Sequence, residues 1–305
     1  MFLQGFFIFQ LIIVCWILLP SVVVAFGETR PGCQAKCGNI NVPYPFGITA
    51  RGNDDDLGGA GGCSIHGIWY GYNINCNTSY DPPKPFMGIG NREILGISET
   101  EIRIKGVPST LCYNMSGDVV VNKSSSWDLS ATPFTFSDTK NQFFVVGCNS
   151  AGYFLGSDQF QKNFTSPCVT LCNSREEVKE GYCNVNGCCQ SSIPKGIKRS
   201  TTEVARASNT TFLSFNPCSY AFLADYEQFT FSAADLLSSS KVRDNIRVVL
   251  DWAIGNKTCE EAQQNPTTYA CKENSRCSNS KNNPGYRCTC FDGYKGNAYL
   301  SPGCL

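Results

Sequence analysis

Between residues 68 and 76 the chain reads Ile-Trp-Tyr-Gly-Tyr-Asn-Ile-Asn-Cys. A period of two sets Ile68, Tyr70, Tyr72, Ile74 and Cys76 on one face of a strand and Trp69, Gly71, Asn73 and Asn75 on the other. The tyrosines are therefore expected in a core and Trp69 outside it. Residues 101 to 105 alternate in the same way, directing Ile102 and Ile104 inward and setting Glu101, Arg103 and Lys105 together on the solvent face. Residues 134–137 (FTFS) read as a strand, and residues 142–148 (QFFVVGC) as a continuous apolar run buried on both faces. Further strands are expected at 212–215 (FLSF), 220–223 (YAFL), 228–231 (QFTF) and 248–252 (VVLDW), and only 232–239 (SAADLLSS) has a helical pattern. Turn-rich stretches at 53–62 and 81–85 separate the early strands.

Composition sharpens this β reading. Charged residues make up 16% of the 305, against a usual quarter, and 42% are hydrophobic, so the chain has the material for a core. The 25 Lys and Arg balance 25 Asp and Glu, which excludes a globally basic nucleic-acid binder. Nineteen cysteines with a single histidine, His66, point to a disulfide framework and exclude a His-rich metal site. The apolar run from Gly5 to Leu19, followed by Pro20 and by Val23-Val24-Ala25, reads as a signal peptide (residues 1–25) cut after Ala25, although its start lacks Lys and Arg. Cleavage would remove Cys15 and leave 18 cysteines, an even number that can pair completely. The expected location is extracellular, in the cell wall; membrane attachment would follow only from an uncleaved segment or a truncated receptor. Six sequons, at Asn77, Asn114, Asn122, Asn163, Asn209 and Asn256, mark expected N-glycosylation sites.

The last six cysteines, Cys259, Cys271, Cys277, Cys288, Cys290 and Cys304, are separated by 11, 5, 10, 1 and 13 residues. With Cys-Thr-Cys at the fourth and fifth and Gly293-Tyr294 following, this spacing resembles an EGF-like module. The resemblance implies the pairs Cys259–Cys277, Cys271–Cys288 and Cys290–Cys304; spacing alone leaves 15 connectivities open. Residues 255–258 ahead of the first cysteine carry no carboxylate, so no tight calcium site is expected there, and neither metal nor cofactor is called for.

Upstream, Cys33-Gln-Ala-Lys-Cys37-Gly38 running into Pro43-Tyr44-Pro45-Phe46-Gly47 resembles the opening of the galacturonan-binding domain of plant wall-associated receptor kinases. Gly187-Cys188-Cys189-Gln190, Phe215-Asn216-Pro217-Cys218 and Val248–Ile254 resemble the same ectodomains in the same order. The resemblance implies a mainly β protein of small disulfide-rich domains: a galacturonan-binding-like domain at 33–113, a cysteine-rich β domain at 114–252 and an EGF-like module at 253–305. It also implies a non-catalytic polysaccharide-binding ectodomain whose partner is pectin or an oligogalacturonide. The alternative is a protein-interaction module acting through the EGF-like unit, without glycan binding.

A uronic acid polymer calls for Arg or Lys to meet its carboxylates. Residues 33–113 hold six basic against seven acidic side chains, so a site must be local. The candidates are Arg92, Arg103 and Lys105, with Trp69 as an aromatic platform; a second basic cluster is Lys195, Lys198 and Arg199. The 54–56 run of aspartates reads as a solvated loop before it reads as a calcium site, and Pro43–Gly47 reads as a packing plug before it reads as a contact surface. No kinase motif is present in the sequence: Gly88-Ile-Gly90 lacks the third glycine of a phosphate loop, and no His-Arg-Asp occurs.

Overall fold

The computed structural model describes residues 29–49, 62–65, 70–88, 90–207, 214–237 and 239–305. The signal segment, Cys15, the 54–56 aspartates, His66, Trp69 and Asn209 lie outside the described residues.

Strands β1 (Lys36–Cys37) and β2 (Ile40–Asn41) form a small hairpin. Strand β3 (Gly47–Thr49) runs parallel to β4 (Asn73–Asn77), which pairs antiparallel with β5 (Lys84–Met87). Next come the hairpins of β6 (Ile94–Ile97) with β7 (Glu101–Lys105) and of β8 (Ser109–Tyr113) with β9 (Val119–Lys123). Strands β10 (Ser125–Asp128), β11 (Phe134–Phe136) and β12 (Asn141–Val146) precede the long hairpin of β13 (Ser150–Asp158) and β14 (Asn163–Thr170). Strands β15 (Cys188–Ser192), β16 (Ile197–Arg206), β17 (Cys218–Asp225) and β18 (Arg247–Trp252) follow, and β19 (Ser275–Asn279) pairs with β20 (Tyr286–Cys290) near the C-terminus.

Three larger sheets result, ordered β10-β16-β13-β14, β11-β18-β7-β6 and β15-β12-β17-β8-β9. The last two are built from strands far apart in sequence: Ile102 and Ile104 on β7 lie opposite Leu250 and Val248 on β18, and Cys112 on β8 lies opposite Cys218 on β17. Ile102 and Ile104 are fully buried, as their alternation requires, and Phe143 to Val146 are buried along β12, which is flanked on both sides by β15 and β17.

The structure corrects several sequence expectations. Of the stretch 212–215, Ser214 and Phe215 form a turn and not a strand, and 212–213 lie outside the described residues. The stretch 68–76 does not extend as one strand, because Tyr70–Tyr72 closes a 3-10 turn and pairing starts at Asn73. Tyr72 is nonetheless inside, its hydroxyl donating to the Ala253 carbonyl at 2.6 Å. Residues 228–231 alternate polar and aromatic side chains without forming a strand: the Asp225 carbonyl accepts from the Gln228 and Phe229 amides, which turns the chain out of the ladder. Phe229 then packs at a steep angle against the stacked pair Phe144 and Phe222, with ring centroids 4.8 and 5.1 Å away. The helical stretch becomes a 3-10 turn, Ala233–Leu236, capped reciprocally by Ser232 and Asp235, and then a short helix, Ser239–Asn245.

Phe46, from the Pro-Tyr-Pro-Phe-Gly motif, is fully buried against Tyr72, Phe134 and Trp252 at centroid distances of 5.4, 6.3 and 5.3 Å, so the motif plugs the core. Nine disulfides pair all eighteen cysteines among the described residues. The EGF-like module has the three bridges its resemblance implied, and adjacent Cys188 and Cys189 join different partners, Cys183 and Cys168. Side chains weld this module to the β core. Asn282 donates to the Phe136 carbonyl and the Asp251 carboxylate, Asn283 to the Pro133 carbonyl, and Arg287 to the Thr100 and Trp252 carbonyls.

Candidate ligand-binding site

The structure separates the two basic groups read from the sequence by what surrounds each cation. On β7, Arg103 and Lys105 share the outer face, as parity requires, but both have carboxylate partners. Arg103 lies 3.2 Å from Glu101 and 3.5 Å from Asp225, and Lys105 lies 3.6 Å from Asp244. Asp225 is 1% exposed on β17, and its Oδ2 has no hydrogen-bond partner. The Arg103 guanidinium is the nearby positive charge for that oxygen, which ties the β7 sheet to the neighbouring one. Arg92 lies elsewhere, half-buried with its guanidinium 4.2 Å from the centre of the Trp127 ring, and burial holds its pKa below the usual arginine range. Trp69 lies outside the described residues.

The second cluster is divided by a β-bulge. Ser157 pairs with Arg199 and Asp158 with Ile197, which leaves Lys198 as the extra residue on β16. Arg199 is exposed and bonds Asp128 at 3.1 Å, and Asp128, held below the usual carboxylate range by Ser130 first and Arg199 second, caps that surface. Lys198 turns inward. It is 5% exposed, and its Nζ donates to the Thr132 and Phe134 carbonyls at 3.0 and 2.5 Å. Burial pushes its amine down to about 8 from an ordinary 10.5.

Lys198 lies at a cleft of about 270 Å³. The tip of the β13–β14 hairpin (Asp158, Phe160), the turn before β16 (Lys195, Gly196) and a loop of the EGF-like module (Lys281–Pro284) form its other walls. The module loop is held there because the Gly196 amide donates to Asn282 Oδ1 at 2.8 Å while the Asn282 amide group reaches Phe136 and Asp251. The Asp251 carboxyl is raised above its ordinary value by burial, which its bond from Asn282 only partly offsets. Thr135 also lines the cleft, and its buried hydroxyl has no hydrogen-bond partner. Of the second basic cluster read from the sequence, Lys195 and Lys198 line this cleft and Arg199 does not; Lys281, Phe160 and Thr135 join it without any signal in the sequence, since no spacing pattern links an EGF loop to a hairpin more than a hundred residues earlier. Among the described residues no cluster of three or more His, Cys, Asp or Glu side chains is arranged to hold a metal ion. Of the sequons, Asn114, Asn122, Asn163 and Asn256 are exposed, and Asn77 is half-buried and bonded within its own turn to Ser79.

The fold and its bridges define a disulfide-framed, mainly β protein with an EGF-like module docked on its core. Comparison with known proteins supplies the rest. The wall-associated receptor kinase galacturonan-binding family matches residues 33–106. The chain is 33% identical over 299 residues to wall-associated receptor kinase 2 of Arabidopsis thaliana, covering 96% of itself and 37% of that protein. It is 31% identical to wall-associated receptor kinase 3 of the same plant, covering 99% of itself and 39% of the relative. No solved structure matches. The matches support the resemblance carried by the motifs: the chain corresponds to the ectodomain region of wall-associated receptor kinases, and it spans under two-fifths of those relatives' length. Among the described residues no helix is long and apolar enough to cross a membrane.

Proposed function

We propose that this chain is a non-catalytic, cell-wall-facing receptor ectodomain that binds de-esterified pectic galacturonan. The observation that carries the reading is the galacturonan-binding family match at residues 33–106, whose Phe46 plug and β7 strand are built into the core shared with the rest of the chain. The chemistry supports it. A galacturonate unit offers a carboxylate and an apolar ring face, which lysine amines and exposed aromatic rings complement. The secretory and glycosylated state expected from residues 1–25 and from the sequons fits the same location.

Retention on immobilised glycans tests this reading with the recombinant mature chain. Pectic fragments should be retained when de-esterified, released by salt and lost on methyl esterification, because the attraction is between exposed charges. Silence across all acidic glycans would overturn the reading and leave the EGF-like unit as a protein-docking module.

A further inference from the structure

The cleft between the β13–β14 hairpin and the EGF-like loop has features of a built site. Lys195, Lys198 and Lys281 line it with one acidic residue, Asp158, and the Lys198 amine is turned inward onto the Thr132 and Phe134 carbonyls, which leaves Lys195 and Lys281 as its exposed cations. The Asp158 carboxylate is already engaged, since its Oδ1 accepts from the Phe160 and Lys162 amides at 2.8 and 2.9 Å. Among the described residues neither Lys195 nor Lys281 makes an ion pair. Beneath them Thr135 carries its unpartnered buried hydroxyl, a group that ordinarily finds a partner in a folded protein. At the edge Phe160 is 80% exposed, an apolar ring on a hairpin tip with nothing in the fold to cover it. A space of about 270 Å³ falls just below the range of drug-sized pockets, so it suits about one sugar ring.

We propose that this cleft seats one uronic acid residue of an acidic glycan, its carboxylate between Lys195 and Lys281 and its ring face toward Phe160, which makes the EGF-like loop part of the glycan site. The inference rests on the proposed function for its ligand class and adds to it a place outside the matched residues 33–106, together with a second structural unit. It also assigns the module a role distinct from protein docking. Lys281 enters from the EGF-like loop and Lys195 from the β core, so an anion between them would pull on both sides of the Asn282 weld and tighten it.

Titration calorimetry of the full mature chain with trigalacturonate and with its methyl ester tests the inference. Lys195→Gln with Lys281→Gln should weaken trigalacturonate binding about three- to tenfold and flatten its salt dependence, as expected for exposed charge contacts. Phe160→Ala, on an exposed turn, should weaken binding while leaving the salt slope unchanged, and it gives a reading independent of the lysines. Unmodified protein that binds trigalacturonate while both variants bind it equally well would overturn the cleft and leave the proposed function standing. Unmodified protein that binds neither trigalacturonate nor longer galacturonans would remove both.

Discussion

The outer face of β7 and the EGF-like cleft are both basic, and they use their charges differently. On β7 the cations answer carboxylates supplied by the fold: Arg103 faces Glu101 and the buried Asp225, and Lys105 faces Asp244. In the cleft, Lys195 and Lys281 stand on separate structural units with no carboxylate at ion-pair distance among the described residues, and Lys198 lies below them bonded to backbone carbonyls. A row of cations on a strand is thus a weaker sign of an anion site than cations brought together from different units. The first is satisfied by carboxylates of its own strand and of elements packed beside it, whereas the second leaves cations lining one cleft that an anionic ligand could answer.

The largest effect should come from Lys198. Its folded-state amine titrates near 8, against an ordinary 10.5 in the unfolded chain. Below pH 8 both states hold the proton and the burial cost is fully present. Between 8 and 10.5 the unfolded chain holds a proton that the folded chain has released, so stability rises with pH by a total on the order of 3 kcal/mol from this group. Urea unfolding from pH 7 to 10.5 should show this rise in the unmodified chain and lack it in Lys198→Met; parallel curves would contradict the burial of a titrating amine.

A smaller effect separates the two cations on β7. Arg103→Ala leaves the Asp225 carboxylate buried without its counter-charge and should cost about 1–3 kcal/mol, with Asp225→Asn recovering part of it in the same background. Lys105→Ala breaks an exposed pair with Asp244, which is 69% exposed, and should cost less than about 0.5 kcal/mol. Equal losses at both positions in denaturant melts would show that Arg103 is not the support of Asp225.

Much of the fold was legible because its signals are local. The period of two placed Ile102 and Ile104 in the core, the unbroken apolar run of β12 marked a strand covered on both sides, and the cysteine spacing of the EGF-like module carried its bridges through family resemblance. The motif Pro43–Gly47 was legible as a plug, and Phe46 is one. What the sequence could not show is which distant strand or side chain answers each residue. Nothing near Arg103 points to Asp225, and nothing near Lys195 points to Lys281. The bulge that buries both Ile197 and Lys198 comes from a register slip against β13, a property of the pair of strands and not of either alone. Residues 228–231 read as a strand because a strand and a turn that returns two phenylalanines to the core show the same alternation of polar and aromatic side chains.

Hydrogen–deuterium exchange of the mature chain with and without saturating de-esterified oligogalacturonide compares the two basic regions in one experiment. Added protection is predicted at 158–162, 195–199 and 281–284, with residues 101–105 unchanged. Protection confined to 94–105, with none around the cleft, would contradict the account and return the site to the β7 face.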